Sequence, residues 1–174
     1  MHMEFYEVLK QRKSIRKYKP DPVSDDILNR ILEAGRGAPS AKNIQPWHFI
    51  VVRNQKTKEK LIDACRGQRF IAQADVILCG CSSEKIAWGR MGGYMSAFAI
   101  DLTIAFEHMI LAAANEGLAT CWIGAFEEKK VKKILNVPDD VRVVALTPIG
   151  YAAEEAKDRG RKPLAEIVSY EKYG

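Results

Sequence analysis

Apolar and polar residues recur along the chain at periods that divide it into alternating helices and strands. Phe5, Val8 and Leu9 share one face of a helix over residues 3–12. The stretch 14–24 reads as extended, because Pro20 and Pro22 disfavour helix in the residues before them. Ser24 is placed as an N-cap, with Asp25 and Asp26 in the first turn. Ile27, Leu28, Ile31 and Leu32 then form the buried stripe of a helix that ends near Gly35 or Gly37. A strand is predicted at 46–53, a helix at 57–66 and a second strand at 75–82. The almost unbroken apolar run "DVILCGCS" in that second strand fits a sheet covered on both faces. Residues 82–95, interrupted by glycines, read as a loop.

The longest helical candidate, 96–118, is apolar on nearly all sides, which marks a helix buried in a core or against a partner. Asp101, Glu107, His108, Asn115 and Glu116 break the run, so no membrane span is expected. A short strand or turn at 119–126, a helix at 127–135 and a strand at 141–151 follow. After these come a polar tail, 152–161, and a short final helix opened by Pro163. The pattern holds no repeat and no linker. The expectation is one α+β domain over residues 1–174, its sheet covered by helices.

Composition changes this picture in three places. The 174 residues are 47% hydrophobic, enough for a substantial core. The net charge of +5 is mild, and much of the basic excess lies in two clusters, Arg12–Lys19 and Lys157–Lys162. Nucleic-acid binders more often spread cations along a stripe with aromatic platforms between, so a nucleic-acid partner is not expected. Two compact clusters suit one small phosphorylated ligand. Taken singly, either could be solvated surface charge. Cys65, Cys79, Cys81 and Cys121 form no CxxC pair and have no nearby His at metal-ligand spacing, so no metal is expected. Free thiols without a signal peptide imply a cytoplasmic protein, with Cys79 and Cys81 as small buried hydrophobes. The leading Met-His-Met reads as an appended segment, and His2 receives no role.

The candidate chemistry starts at "RKSIRKY". On an extended segment Arg12, Ser14 and Arg16 point to one side, with Lys13, Ile15 and Lys17 on the other. Two guanidiniums flanking a hydroxyl make a phosphate clamp, because arginine donates in a planar fork and serine can donate too. "GRGAPSAKNIQPW" supplies Asn43 and Gln45, whose amides suit the edge of a heterocycle. Pro39 and Ser40, taken singly, read as ordinary turn residues. His48 alternates with Trp47 and Phe49 on a strand, and His108 lies within the long helix, so both read as structural.

The stretches "RKSIRKY", "APSAKNIQPWHFIVV" and "NEGLATCWIGAF", followed by "VALTPIGY" and "RGRKPLAEIV", together resemble the FMN-dependent nitroreductase family. The resemblance covers nearly the whole chain and rests on the ordered set of motifs. It implies an α+β fold with a mostly antiparallel central sheet. It also implies a homodimer with two flavins at the subunit interface and the long helix contributing to that interface. Through it, Arg12 and Ser14, with Lys13 beside them, hold the FMN phosphate and ribityl end. Arg16 serves the N1/O2 edge of the ring, and Arg159 with Arg161 forms a second phosphate pair. Pro39, Ser40 and Asn43 match a segment supplied by the other subunit or running along the flavin edge, with Gln45 next to it. "ATCWIGAF" matches the segment against one flavin face, with Gly124 allowing close backbone approach and Trp122 and Ile123 beside the ring. Trp122 could equally be core. Gln68 or Arg69 in "CRGQRF" corresponds to a ribityl or pyrimidine contact.

The reaction implied is NADH- or NADPH-dependent reduction of a small-molecule acceptor, such as a nitroaromatic, a quinone or free flavin. It proceeds by ping-pong hydride transfer through flavin N5, with no catalytic side chain. Specialised relatives of deiodinase or dehydrogenase type, or a non-catalytic flavin-binding module, are the alternatives. The short loop 82–95, where larger members insert helices over the substrate, leaves the acceptor and the nicotinamide preference open.

Overall fold

Four strands, β1 (Trp47–Val52), β2 (Val76–Ser83), β3 (Ala119–Thr120) and β4 (Val141–Gly150), form one sheet of order β1-β2-β4-β3. Every strand pairing in it is antiparallel. The coordinates are a computed structural model that describes residues 4–174, so Met-His-Met and the reading of His2 lie outside the described residues. Five helices complete the architecture: α1 (Phe5–Gln11), α2 (Asp25–Arg36), α3 (Gln55–Ala64), α4 (Phe98–Asn115) and α5 (Glu128–Leu135).

β2 is one of the two inner strands, and its almost unbroken apolar run has the expected consequence. Period-two alternation sends Ile77, Cys79 and Cys81 into a cluster with Leu61 of α3 and Val131 of α5. Val76 and Leu78 face the opposite way, towards Ile31 of α2 and Leu102 and Phe106 of α4. Gly80 lies where α4 approaches the sheet. A Cβ there would stand 3.0 Å from Leu102 Cδ2 and from two carbons of the Phe106 ring, closer than side chains pack without shifting. All four cysteines are free and buried, and the Cys79 and Cys81 sulfurs lie 3.9 Å apart.

Ser24 caps α2 as anticipated, its side chain accepting from the Ile27 amide, and Gly37 ends the helix. Three helical segments differ in cover or length. In α1 only Val8 is buried; Phe5 and Leu9 are 61% and 44% exposed, with nothing among the described residues enclosing that side of the helix. The final helix after Pro163 is one 3₁₀ turn, Leu164–Glu166, too short to bury a stripe. The long helix α4 is not enclosed. One side packs on α2 and β2, while Ile100, Thr103, Glu107 and His108 are exposed. His108 therefore lies at the surface. Local sequence could not show this, since an apolar stripe looks the same whether or not a neighbour covers it. By length and composition α4 is apolar enough to cross a bilayer.

Candidate active site

The cationic segment at the end of α1 runs beside the sheet edge. Ile15 is buried, its amide donates to the Thr120 carbonyl, and Ser14 bridges Thr120 in parallel. Four residues after Ile15, the Lys19 amide donates to the Tyr151 carbonyl, and the Ala153 amide returns a bond to the Lys17 carbonyl. Burying Ile15 and pinning the chain at both ends fixes the direction of the polar residues between. Those pairings also bring the C-terminal segment after β4 alongside residues 14–18.

The result is a cleft of about 550 Å³ between the two segments, within the usual size range of small-ligand sites. Arg12, Lys13, Ser14 and Arg16 line one wall, and Lys157, Arg159 and Arg161 line the other. The two basic clusters of the sequence, well over a hundred residues apart, thus meet. Leu9 and Lys10 extend the floor, and Glu154, Glu155 and Asp158 place three carboxylates among seven cations. Two of those acids work as fasteners. Glu154 accepts the Arg16 amide at 2.7 Å, and Asp158 accepts Lys13 Nζ at 3.1 Å. The Gly160 amide, then Lys13, holds the Asp158 carboxyl below its ordinary pKa. Cations outnumber carboxylates along the cleft, and that excess of positive charge suits a phosphate dianion.

Alternation alone puts Lys13 away from Arg12 and Arg16. Its long, flexible stem brings it back into the cleft, where Asp158 draws the ammonium. Lys17 stays outside. Behind Ser14 lies Cys121, whose thiol is pushed above its ordinary pKa by burial while Arg16 and the Ser14 hydroxyl pull it down.

Other predicted residues do not reach this cleft within one chain. Gln68 donates to the carbonyls of Cys65 and Ala125, fastening the loop after β3 to the end of α3. Ile123 is 2% exposed, lies in the core and exchanges backbone bonds with Leu146. Its neighbour Trp122 is 39% exposed and sits edge-on to Phe106, with ring centroids 5.4 Å apart. Gly124 is exposed, and a Cβ there would meet little besides Trp122 Nε1 at 3.7 Å. Packing inside this chain does not require that glycine.

Pro39, Ser40, Asn43 and Gln45 form a separate loop at the start of α4. Lys42, Asn43 and Gln45 all have positive φ, near 55°, a conformation costing an L-residue on the order of 1–2 kcal/mol. Local bonds offset part of that cost: the Gln45 amide donates to Ser40 Oγ, and Gln45 Nε2 donates to the carbonyl and side-chain oxygens of Asn43. The loop's link to α4 is Asp101, whose Oδ1 accepts the Ala41 amide at 3.0 Å. Asp101 had no role in the sequence reading. Its signal was present, since it is the sole charge in "SAFAIDLTIAF".

Glu107 lies exposed on the open side of α4. Partial burial raises its carboxyl pKa, while Arg12 and then His108 draw it down.

Comparison with known proteins bears on the fold and the family. The nitroreductase family model matches residues 9–78 and 64–151. The chain belongs to the nitroreductase family. It is 32% identical to a putative NADH dehydrogenase/NAD(P)H nitroreductase of Methanothermobacter thermautotrophicus, over 90% of this chain and 82% of that protein. An FMN reductase [NAD(P)H] of Bacillus subtilis is 29% identical, over 98% of this chain and 74% of the relative. A nitroreductase family protein from Clostridium difficile superposes with a TM-score of 0.90 at 30% identity, covering 98% of this chain and all of the other. Nitroreductase-family membership accounts for the antiparallel α+β fold, and the matched residues include the cationic segment from Arg12 to Lys19.

Proposed function

We propose that this chain is an FMN-dependent NAD(P)H oxidoreductase, one domain spanning the chain, that works as a homodimer on small-molecule acceptors. The observation that carries the reading is the meeting of the two arginine clusters in one cleft. FMN carries a single terminal phosphate, and the cleft offers guanidinium forks and a hydroxyl suited to it. No GxGxxG loop is present to cradle the pyrophosphate of FAD. The donor set therefore fits FMN.

Arg12, Lys13 and Ser14, with Arg159 and Arg161, hold the phosphate and ribityl end. Arg16 stabilises negative charge on the reduced ring, as a fixed cation does at low reorganisation cost. Gly124 admits close approach of backbone to the ring, with Trp122 and Ile123 forming the wall behind it and Gln68 steadying that wall from below. Pro39, Ser40, Asn43 and Gln45 complete the site from the partner subunit, which is why they lie away from this chain's own cleft. Bound FMN supplies hydride acceptance and donation at N5. The nicotinamide and the acceptor, a nitroaromatic, quinone or free flavin, use the same place in turn. The uncovered side of α4, with the exposed Phe5 and Leu9 of α1, is the surface that the second copy covers. Four free thiols favour a reducing, cytoplasmic compartment.

His48 and His108 are both exposed and outside the lining of the cleft. Anaerobic addition of NADH or NADPH to the flavin-loaded protein is expected to bleach its visible bands in a stopped-flow cell. His48→Ala and His108→Ala should bleach at nearly the wild-type rate. General acid–base catalysis contributes about 10²–10⁴-fold, so a hundredfold slower bleach in a folded variant would give that histidine a chemical role. Flavin retained but never reduced by either nucleotide would point to a flavin-binding module instead.

A further inference from the structure

We propose that Asp101 is a positioning residue for the flavin site. It fixes the left-handed loop from Ser40 to Gln45 through the Ala41 amide, and so sets where Ser40 and Asn43 present their polar groups. The proposal rests on the reading above that this loop faces flavin in the dimer.

Three observations converge on it. Asp101 is 3% exposed on the side of α4 that faces the core, between Leu102 and Ala97, both fully buried. Among the described residues only one of its carboxylate oxygens has a partner, the Ala41 amide; Oδ2 is buried with none. A buried carboxylate with an unpaired oxygen is costly, and an apolar residue there would pack better. The first turn of α4 lessens that cost, since the helix N-terminus favours a negative charge, but it does not explain why the charge points at residue 41.

The loop itself supplies the reason. Its remaining backbone and side-chain bonds are internal: Asn43 amide to Ser40 carbonyl, Ile44 amide to Ala41 carbonyl, and the Gln45 bonds to Ser40 and Asn43. Internal bonds can hold the loop's shape but cannot fix it relative to the rest of the fold. The bond to Asp101, sixty residues away, does that near the loop's start, while just past its end the Pro46 carbonyl accepts the Ser83 amide and the Ser82 hydroxyl of β2. A second contact acts at the same end of α4. Lys42 Nζ lies 6.0 Å from the centre of the Trp88 ring, and the Trp88 carbonyl accepts the Ala97 amide just before the helix. A strained loop anchored at two points keeps its side chains aimed.

The test uses the full-length protein with FMN as the probe. Asp101→Ala is expected to weaken FMN binding at least tenfold in a fluorescence titration. In the flavin-free protein the amides of residues 41–45 should exchange faster while those of β2 and β4 keep their protection. Asp101→Asn keeps an oxygen for the Ala41 amide and should hold both readouts within threefold of wild type. Ala41→Pro approaches the same bond from the donor side without touching α4. Ser40 is already extended, as a residue before proline must be. It should weaken FMN binding as Asp101→Ala does, and it decides the matter if Asp101→Ala fails to fold. Wild-type affinity in a folded Asp101→Ala, with or without faster exchange, overturns the proposal. A wild-type protein that binds no FMN defeats the functional reading first, before any variant is made. The anchoring of the loop is then judged by exchange alone.

Discussion

Changing Arg12 and Arg159 together to alanine is expected to weaken FMN binding at least a hundredfold. The two residues come from opposite walls of the cleft, so the change removes one guanidinium from each half of the clamp. Each hydrogen bond to a charged group contributes about 1.5–3 kcal/mol, and about 1.4 kcal/mol is a factor of ten. The two losses need not add, because both guanidiniums would serve one anion. A titration followed by flavin fluorescence reads the effect, and raised salt should shrink it. Lys162 belongs to the same basic tail but does not line the cleft. Lys162→Ala should therefore leave affinity nearly unchanged. Arg16→Ala should act differently, lowering the flavin reduction potential more than the affinity. Equal losses for Lys162→Ala and the double variant would mean that only bulk charge matters.

A single carboxylate on the open side of α4 is expected to abolish the dimer and the bound flavin together. Ile104 lies one turn beyond Ile100 and between Thr103 and Glu107, on the stripe that this chain leaves largely uncovered. An obligate interface of this type buries on the order of 2,000 Å² or more. Placing an unpaired charge inside it costs several kcal/mol. Ile104→Asp should sediment as a monomer and elute without flavin. Its fold should survive, because the opposite side of α4 carries the packing against α2 and β2. A wild-type protein that sediments as a folded monomer and keeps its flavin would contradict the expectation.

The sheet, its flanking helices and the cation cluster were all legible in the sequence, for reasons of short range. The run through β2 is almost unbroken in its apolar character because both its faces are packed, against α3 and α5 on one and α2 and α4 on the other. Ser24 announces α2 because its hydroxyl must meet an orphan amide. What stayed hidden depended on neighbours distant in the chain. Phe5, Val8 and Leu9 share one face of α1, yet among the described residues only Val8 is covered. Strand alternation sent Lys13 the wrong way, because Asp158, far along the sequence, decides where a flexible ammonium goes.

The site was half legible for the same reason. Arginines and glycines announce anion binding by their own chemistry, and the family's motif order adds their likeness to a known site. Asp101 announces nothing by motif, since its importance lies in reaching a loop sixty residues away. A lone carboxylate in a strongly apolar helix was the available clue, and it is ambiguous until the loop is seen.

The central claim is that the cleft between the two arginine clusters holds the phosphate of FMN. Heat denaturation of the purified protein, followed by chromatography of the released chromophore, tests it most directly. FMN recovered near one equivalent per chain, either as isolated or after reconstitution with excess FMN, is the result predicted. Recovery of FAD, or of no flavin after reconstitution, would contradict it.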